Sequence, residues 1–402
     1  MQMKKYVSLY VHIPFCALKC KYCDFLSFDG ESYGTMLRYV DSLCQEIKLY
    51  APLASDYIVR SVFIGGGTPS LLDEGLITNI MAFIRKTFTL EKDAEISIEA
   101  NPGTLRHQKL NGYKAAGINR LSIGLQSADD EMLRKLGRMH NYDQFVATFK
   151  AARRAGFNNI NIDIMSGLPG QTIHSYVDTL SRVLEFGPEH ISAYSLSIEE
   201  GTPFAKDPEI LESLPPDMID RRMYEITKKL LAAHGYDRYE VSNYARPGYE
   251  CRHNMVYWTG GEYIGFGIGA SSYFQGKRFN NISDILQYIQ LMEETSDKFA
   301  EADNLEILYN ESVRKLRENV TPIYIDSRME EFMFLGLRMM CGISRIDFEE
   351  RFKKDIYEVY GPVLNKYIDQ GLLATYEDRI YLTDKGIDVS NVVLADFILD
   401  KD

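Results

Sequence analysis

Cys16, Cys20 and Cys23 stand within eight residues, spaced C-x3-C-x2-C. Three thiolates on one short loop can hold three irons of a cubane iron–sulfur cluster. The fourth iron is then left without a protein ligand and can chelate a small molecule. Two other readings stay open on the residues alone. One is structural zinc with His12 as the fourth ligand, although no second C-x2-C or Cys/His pair follows. The other is three buried cysteines that merely pack. Of the remaining cysteines, Cys44 falls on the apolar face of a helical pattern and reads as core.

These cysteines need a scaffold, and the hydrophobic periodicity supplies one. Short apolar, β-branched runs recur at Tyr6–Ile13, Val59–Ile64, Ile96–Ala100, Ile118–Leu125, Ile160–Met165 and Ile191–Ile198, which suits strands buried on both faces. Helical patterns lie between them, for example Met36, Val40, Leu43, Ile47 and Tyr50, then stretches near 73–87, 104–116, 141–156, 171–186 and 217–234. Six strand–helix units in series predict an α/β fold, a partial (β/α)6 TIM-like barrel with right-handed crossovers. The polar residues cluster at the strands' carboxyl ends. The cysteine loop follows the first strand and Gly65-Gly66-Gly67-Thr68-Pro69 the second. Glu99 and Asn101 end the third, and Gln126 and Ser127 the fourth. Asp163 and Gly167-Leu168-Pro169 end the fifth, and Ser197 and Glu199 the sixth. In barrel folds that rim builds the active site. Gln126 and Asp163 are polar groups ending apolar strands, where burial without a partner is costly.

From about 235 the pattern changes, and a helical tail is predicted from about 284. Residues 325–402 read as three helices and a two-strand ribbon (Leu372–Tyr376, Ile380–Leu382), a winged-helix-like α+β module. The expected division is 1–235 for the barrel, 236–320 for a connecting region and 321–402 for the C-terminal module. Hydrophobic residues make up 45% of the 402 and charged residues 25%, which excludes wholesale disorder. A net charge of −12 disfavours binding to a nucleic-acid backbone, so the module is not read as DNA-binding. No apolar run approaches the roughly 18–20 residues of a membrane helix. With no secretory signal visible, a cytoplasmic location is expected.

The stretch Tyr10-Val-His-Ile-Pro-Phe-Cys16-Ala-Leu-Lys-Cys20-Lys-Tyr-Cys23 resembles the signature of the radical S-adenosylmethionine (radical SAM) superfamily. The chain as a whole is most similar to the oxygen-independent coproporphyrinogen III oxidase branch, through Gly-Gly-Gly-Thr-Pro, Glu-Ala-Asn-Pro, the Gln-Ser of strand four, Asp163 with Gly-Leu-Pro, and the C-terminal module. The resemblance implies that Cys16, Cys20 and Cys23 ligate a 4Fe–4S cluster and that S-adenosylmethionine chelates the open iron. Gly66 and Gly67 would let backbone approach its methionine end, and Thr68 would add a hydroxyl. Tyr10 and Tyr22 would pack near cluster and adenine. Glu99, Gln126, Arg138 and Asp163 would hold carboxylate, amine and ribose groups. No separate catalytic side chain is implied. Blander roles exist for each: a tight turn for the glycines, core packing for Tyr10, helix caps for Glu99 and Asp163, and a solvated helix-end charge for Arg138.

Two departures separate the chain from the decarboxylating oxidase. Its signature continues with a cysteine two positions after the third, where this chain has Asp24-Phe25. It also carries a long extension before the signature. His253-Asn-Met-Val-Tyr257-Trp258, in contrast, matches the H-N-x-x-Y-W motif of the heme chaperones in this branch. Imidazole can ligate heme iron, and Tyr257 and Trp258 can stack on the macrocycle. Cys251 is another candidate ligand, and a core histidine beside core aromatics is the plain alternative. The expectation is a heme chaperone that delivers heme to acceptor proteins, membrane-bound respiratory proteins among them, and carries a 4Fe–4S cluster and an S-adenosylmethionine site. A cluster-linked homodimer is compatible with this. The alternative is coproporphyrinogen oxidation by radical decarboxylation.

Overall fold

The computed structural model describes residues 5–299 and 304–399. Six parallel strands carry the first half of the chain: β1 (Lys5–Ile13), β2 (Tyr57–Gly66), β3 (Thr89–Ala100), β4 (Arg120–Gln126), β5 (Ile160–Ser166) and β6 (His190–Ser195). They are hydrogen-bonded in sequence order, each parallel to the next. Helices α1 (Tyr33–Leu49), α2 (Glu74–Thr87), α3 (His107–Ala115), α4 (Asp130–Leu136), α5 (Tyr142–Arg154), α6 (Ile173–Glu185) and α7 (Asp217–Ala233) make the crossovers and the final return. The protein is an α/β fold with a mostly parallel central sheet, as the alternating pattern predicted.

The sheet runs further than the sequence pattern did. Beyond β6 lie the antiparallel β7 (Asp237–Arg238) and β8 (Asn243–Ala245). On the far side of β1 come β9 (Tyr263–Phe266), β10 (Ser271–Phe274), β11 (Lys277–Asn281) and β12 (Arg317–Pro322), giving twelve strands in one sheet. β9 pairs parallel with β1, Tyr10 opposite Gly265. A β-carbon on Gly265 would lie 2.4 Å from the Ser271 carbonyl oxygen, so the glycine-rich stretch is a close strand contact.

Most strand ends move by a residue or two, and three differences from the reading of the sequence are larger. β3 starts at Thr89, earlier than its apolar run, because Glu91, Lys92 and Asp93 in its first half hide that start from the pattern. β6 stops at Ser195, so Ser197 and Glu199 fall past the rim, where Ser197 donates to Glu199 over 2.6 Å on the exposed surface. The tail after 284 is two helices, α9 (Ile285–Phe299) and α10 (Leu305–Leu316), followed by the edge strand β12, whose side chains are mostly exposed and so leave no apolar signal.

The C-terminal residues have their own core, built on Met333, Phe348, Tyr360, Leu364, Ile380 and Phe397. Helices α11 (Ile325–Gly336), α12 (Arg345–Phe352) and α13 (Ile356–Asp369) pack against a small sheet of β13 (Ile343–Ser344), β14 (Leu373–Tyr376) and β15 (Arg379–Leu382), a winged-helix-like arrangement. Arg278 of β11 forms a two-pronged pair with Glu331 of α11 at 2.8 and 3.1 Å, tying this unit to the main sheet.

Candidate functional site

The cysteine loop leaves β1 at the carboxyl edge of the sheet. Its first and last residues form a short parallel pair, Phe15–Cys16 with Phe28–Asp29. Lys19 closes it by donating its Nζ to the carbonyls of Phe25 (2.9 Å) and Ser27 (3.4 Å). All three cysteines are half-buried and unbridged. Burial pushes the Cys16 and Cys23 thiols up. The next turn packs directly on this loop because it lacks side chains. A β-carbon on Gly67 would stand 2.9 Å from the Cys16 sulfur, and one on Gly66 (φ 115°) 2.7 Å from the His12 ring. Thr68 Oγ1 reaches the Cys16 sulfur at 3.7 Å. His12 itself is taken: Nε2 bonds the Leu26 carbonyl at 2.8 Å and Nδ1 the Tyr10 hydroxyl at 3.0 Å. That leaves no ring nitrogen for a zinc ion.

Cys16, Cys20, Cys23, Tyr22, Gly66, Gly67, Thr68, Glu99, Gln126, Arg138 and Asp163 all line one cavity of about 340 Å³ at this rim. Arg138 is no solvated charge. It is half-buried, donating to the Gly124 carbonyl at 2.7 Å and to the Cys20 sulfur at 3.6 Å. Gly124 makes room for it, since a β-carbon there would meet its guanidinium at 2.9 Å. Asp163 accepts from Asn161 (2.7 Å) and Ser122 (3.2 Å). Glu99 accepts from the Gly66 N–H at 3.1 Å. Burial, reinforced by Asp163, raises the Glu99 carboxyl to about 8, and burial also raises Asp163. Tyr10 lies one level deeper, in a second cavity of about 170 Å³ that shares Glu99, Ser122, Asp163 and Tyr194 with the first.

The rim carries unfilled polar valences. Gln126 Oε1 and Arg138 Nε are buried without a hydrogen-bond partner among the described residues. Gln126 also holds a left-handed backbone, φ 68°, which a non-glycine residue rarely adopts. A buried unpaired amide oxygen costs about 1–3 kcal/mol. Strain and orphaned polar atoms together mark a site shaped for a polar ligand. Soft thiolates beside amide, guanidinium and carboxylate groups suit an iron–sulfur cluster with a zwitterionic, hydroxyl-bearing partner.

The H-N-x-x-Y-W residues lie on α8 (Arg252–Trp258), below the sheet's mouth. His253 is buried, its Nδ1 on Ser61 Oγ (3.0 Å), its Nε2 on the Tyr257 hydroxyl (2.9 Å), its ring stacked on Phe63. Burial pushes its pKa down to about 3. His253 and Tyr257 line the deeper cavity. Trp258 does not join them. It packs with Met255, Tyr239 and Met339 toward the C-terminal unit, under Arg338 at 5.5 Å. Cys251 is fully buried, its sulfur 3.5 Å from a Glu95 oxygen.

Sequence reasoning missed Arg120 and Tyr194, which line the inner cavity. The available signal for Arg120 was a full charge opening an apolar strand, where paired or functional charges are the rule. Tyr194 gave none, since tyrosine also packs in cores.

Comparison with known proteins defines the class. Residues 10–183 match the model of the radical SAM superfamily, and residues 326–389 match that of the HemN C-terminal domain. Among solved structures, coproporphyrinogen III oxidase (HemN) from Escherichia coli superposes with a TM-score of 0.81 at 26% identity, over 98% of this chain and 90% of that one. The fold is that of a radical SAM protein. Within the class, the heme chaperone HemW of Bacillus subtilis is 35% identical, over 97% of this chain and 99% of the relative. That of Escherichia coli is also 35% identical, over 98% of both. The chain belongs to the heme chaperone HemW family.

Proposed function

We propose that this chain binds heme and passes it to acceptor proteins, using a barrel that holds a 4Fe–4S cluster on Cys16, Cys20 and Cys23 with S-adenosylmethionine beside it. The observation that carries this reading is the end-to-end likeness to heme chaperones, C-terminal unit included, at 35% identity. Bound here, the cluster would supply one electron to the sulfonium of S-adenosylmethionine. The chain's own residues do the rest. Gly66 and Gly67 leave backbone open to the methionine end, and Thr68 places a hydroxyl there. Arg138 offers its Nε to a carboxylate. Glu99 accepts from the amine N–H groups, which favours the ionised form of its carboxyl. Gln126 and Asp163 bind hydroxyls, while Tyr22 packs at the edge. Tyr10 supports the site from below through His12.

For heme, His253, Tyr257 and Trp258 are the proposed contacts. With both ring nitrogens bonded, His253 can meet iron only if Tyr257 or Ser61 lets go, so heme entry would move α8. The units 1–235, 236–320 and 321–402 are proposed to divide the work into cofactor holding, heme contact and acceptor docking. The likeness to HemN keeps coproporphyrinogen oxidation as the second reading.

An anaerobic heme titration of the cluster-reconstituted protein tests the proposal. Near-stoichiometric heme that co-elutes on gel filtration is expected. Retention of none would end it. Protoporphyrinogen and 5′-deoxyadenosine formed from coproporphyrinogen would replace it with the oxidase.

A further inference from the structure

Arg120 opens β4, is 2% exposed and is one of the residues lining the inner cavity of about 170 Å³. Among the described residues it makes no hydrogen bond and no ion pair, and its Nε is buried without a partner. Burial works against its charge, but the acidic groups around it, Glu95 and Asp163 among them, more than offset this, so it stays a cation. The nearby carboxylates offset its charge at a distance but make their hydrogen bonds elsewhere. Glu95 accepts from the backbone N–H groups of Arg252 and His253, and Asp163 from Asn161 and Ser122. A buried charge is ordinarily paired. This one lines a cavity walled by Tyr10, Phe63, Tyr194 and Tyr257, next to the rim cavity, and shares it with the Glu99 and Asp163 carboxyls, both held toward their neutral forms by burial.

We propose that Arg120 is a carboxylate-binding residue, and that the carboxylate it takes is a propionate of a porphyrin lowered into the barrel. The planar fork of a guanidinium matches a carboxylate in two parallel hydrogen bonds. The aromatic walls suit the apolar edge of a macrocycle. The cavity is too small for a whole porphyrin and ample for one propionate arm, so the ring would stay outside it while the arm passes His253 and Tyr257, which line it. This gives the motif residues a second task, guiding an arm of the macrocycle as well as reaching its iron. The inference rests on the heme reading above. The other source of a carboxylate at this depth is S-adenosylmethionine itself, whose carboxylate the reading assigns to Arg138.

The test compares heme with heme dimethyl ester on the full-length reconstituted protein, and S-adenosylmethionine with its decarboxylated analogue. The wild type should bind heme at least about tenfold more tightly than the ester, the effect of one charge-assisted pair. Arg120→Gln should lose most of that preference and keep its affinity for S-adenosylmethionine. Arg120→Lys, which keeps the charge without the fork, should retain part of the preference and guards against a glutamine variant that fails to fold. Equal binding of heme and ester by the wild type overturns the inference and leaves the heme reading standing. So does a preference that survives in Arg120→Gln. A selective loss of S-adenosylmethionine over its decarboxylated analogue in Arg120→Gln reassigns the site to that ligand. A wild type that binds neither heme nor ester ends both this inference and the reading beneath it.

Discussion

Two buried polar centres flank β1, and they are finished to different degrees. On the α1 side, Glu46 is fully buried and its carboxylate is saturated by this chain. It accepts from the Gly267 N–H (2.8 Å), the Tyr288 hydroxyl (2.6 Å) and the Asn281 amide (2.7 Å). Inside the barrel, Gln126, Arg138 and Arg120 keep buried atoms without partners. The first centre locks α1, β11 and α9 together, with the Tyr39 hydroxyl alongside donating to the His12 carbonyl. The second is polar enough to be costly and is left open. A buried charge saturated by its own chain, as Glu46 is even though Asn281 beside it keeps a free Oδ1, specifies structure, whereas a cluster of orphaned atoms around a cavity marks where something else is to bind.

The largest effect that should separate the two is compositional. Cys20→Ala should lose the cluster's iron and sulfide while its thermal unfolding stays near that of the wild type, because the loop sits on the rim and outside the core. Full iron content in the variant would remove the cluster assignment.

Stability provides the next contrast. Glu46→Ala orphans three buried donors, each worth about 1–3 kcal/mol, so denaturant unfolding should show a loss of about 3 kcal/mol or more. Gln126→Ala should cost under about 1 kcal/mol, because its amide oxygen has no partner to lose, and should weaken S-adenosylmethionine binding about tenfold by calorimetry. Equal destabilisation by the two substitutions would erase the distinction between centres.

Titration sharpens it further. Burial raises Glu46 to about 7 from an ordinary 4.5. The folded state therefore holds an extra proton between those values. The stability this contributes is complete below about 4.5 and lost as pH rises through about 7, on the order of 3 kcal/mol in all. Glu46→Gln should flatten that part of the stability-versus-pH curve, and an unchanged slope would place the titration elsewhere. Glu99, raised to about 8, has the same sign, so its contribution to apo stability also falls as pH rises through about 8. Its proposed ligand reverses the consequence: affinity for the amine N–H donors should grow through that range, by less than tenfold per unit, and Glu99→Gln should abolish the trend. The smallest effect is expected at Trp258. Trp258→Phe keeps the packing against Met339, should leave S-adenosylmethionine binding untouched, and should alter heme affinity only if that ring contacts the macrocycle.

Much of the rim was legible. A strand buried on both faces reads as a short apolar run, and polar residues at the ends of such runs stand out against it. That is how Glu99, Gln126 and Asp163 could be placed together before any coordinates. What escaped were the strands without contrast. β9 to β12 and the first half of β3 mix charges, glycines and aromatics, and join the sheet through backbone pairing that no side-chain pattern encodes. Arg138 was implied by the family resemblance and not by the residues around it. Its sequence position past α4 suits a surface charge, and only the glycine at 124 and the fold of the cysteine loop bring it inward.

The sequence by itself determined the cysteine spacing, the order of strand–helix units and the chemistry at each strand end, because periodicity and residue type are local properties. Tertiary structure decided which polar groups are satisfied. Whether Glu46 is quenched and Arg120 is not depends on partners 235 and 242 residues away in one case, Asn281 and Tyr288, and on their absence in the other. Pairing at that distance is set by packing, so no reading along the chain could have found it.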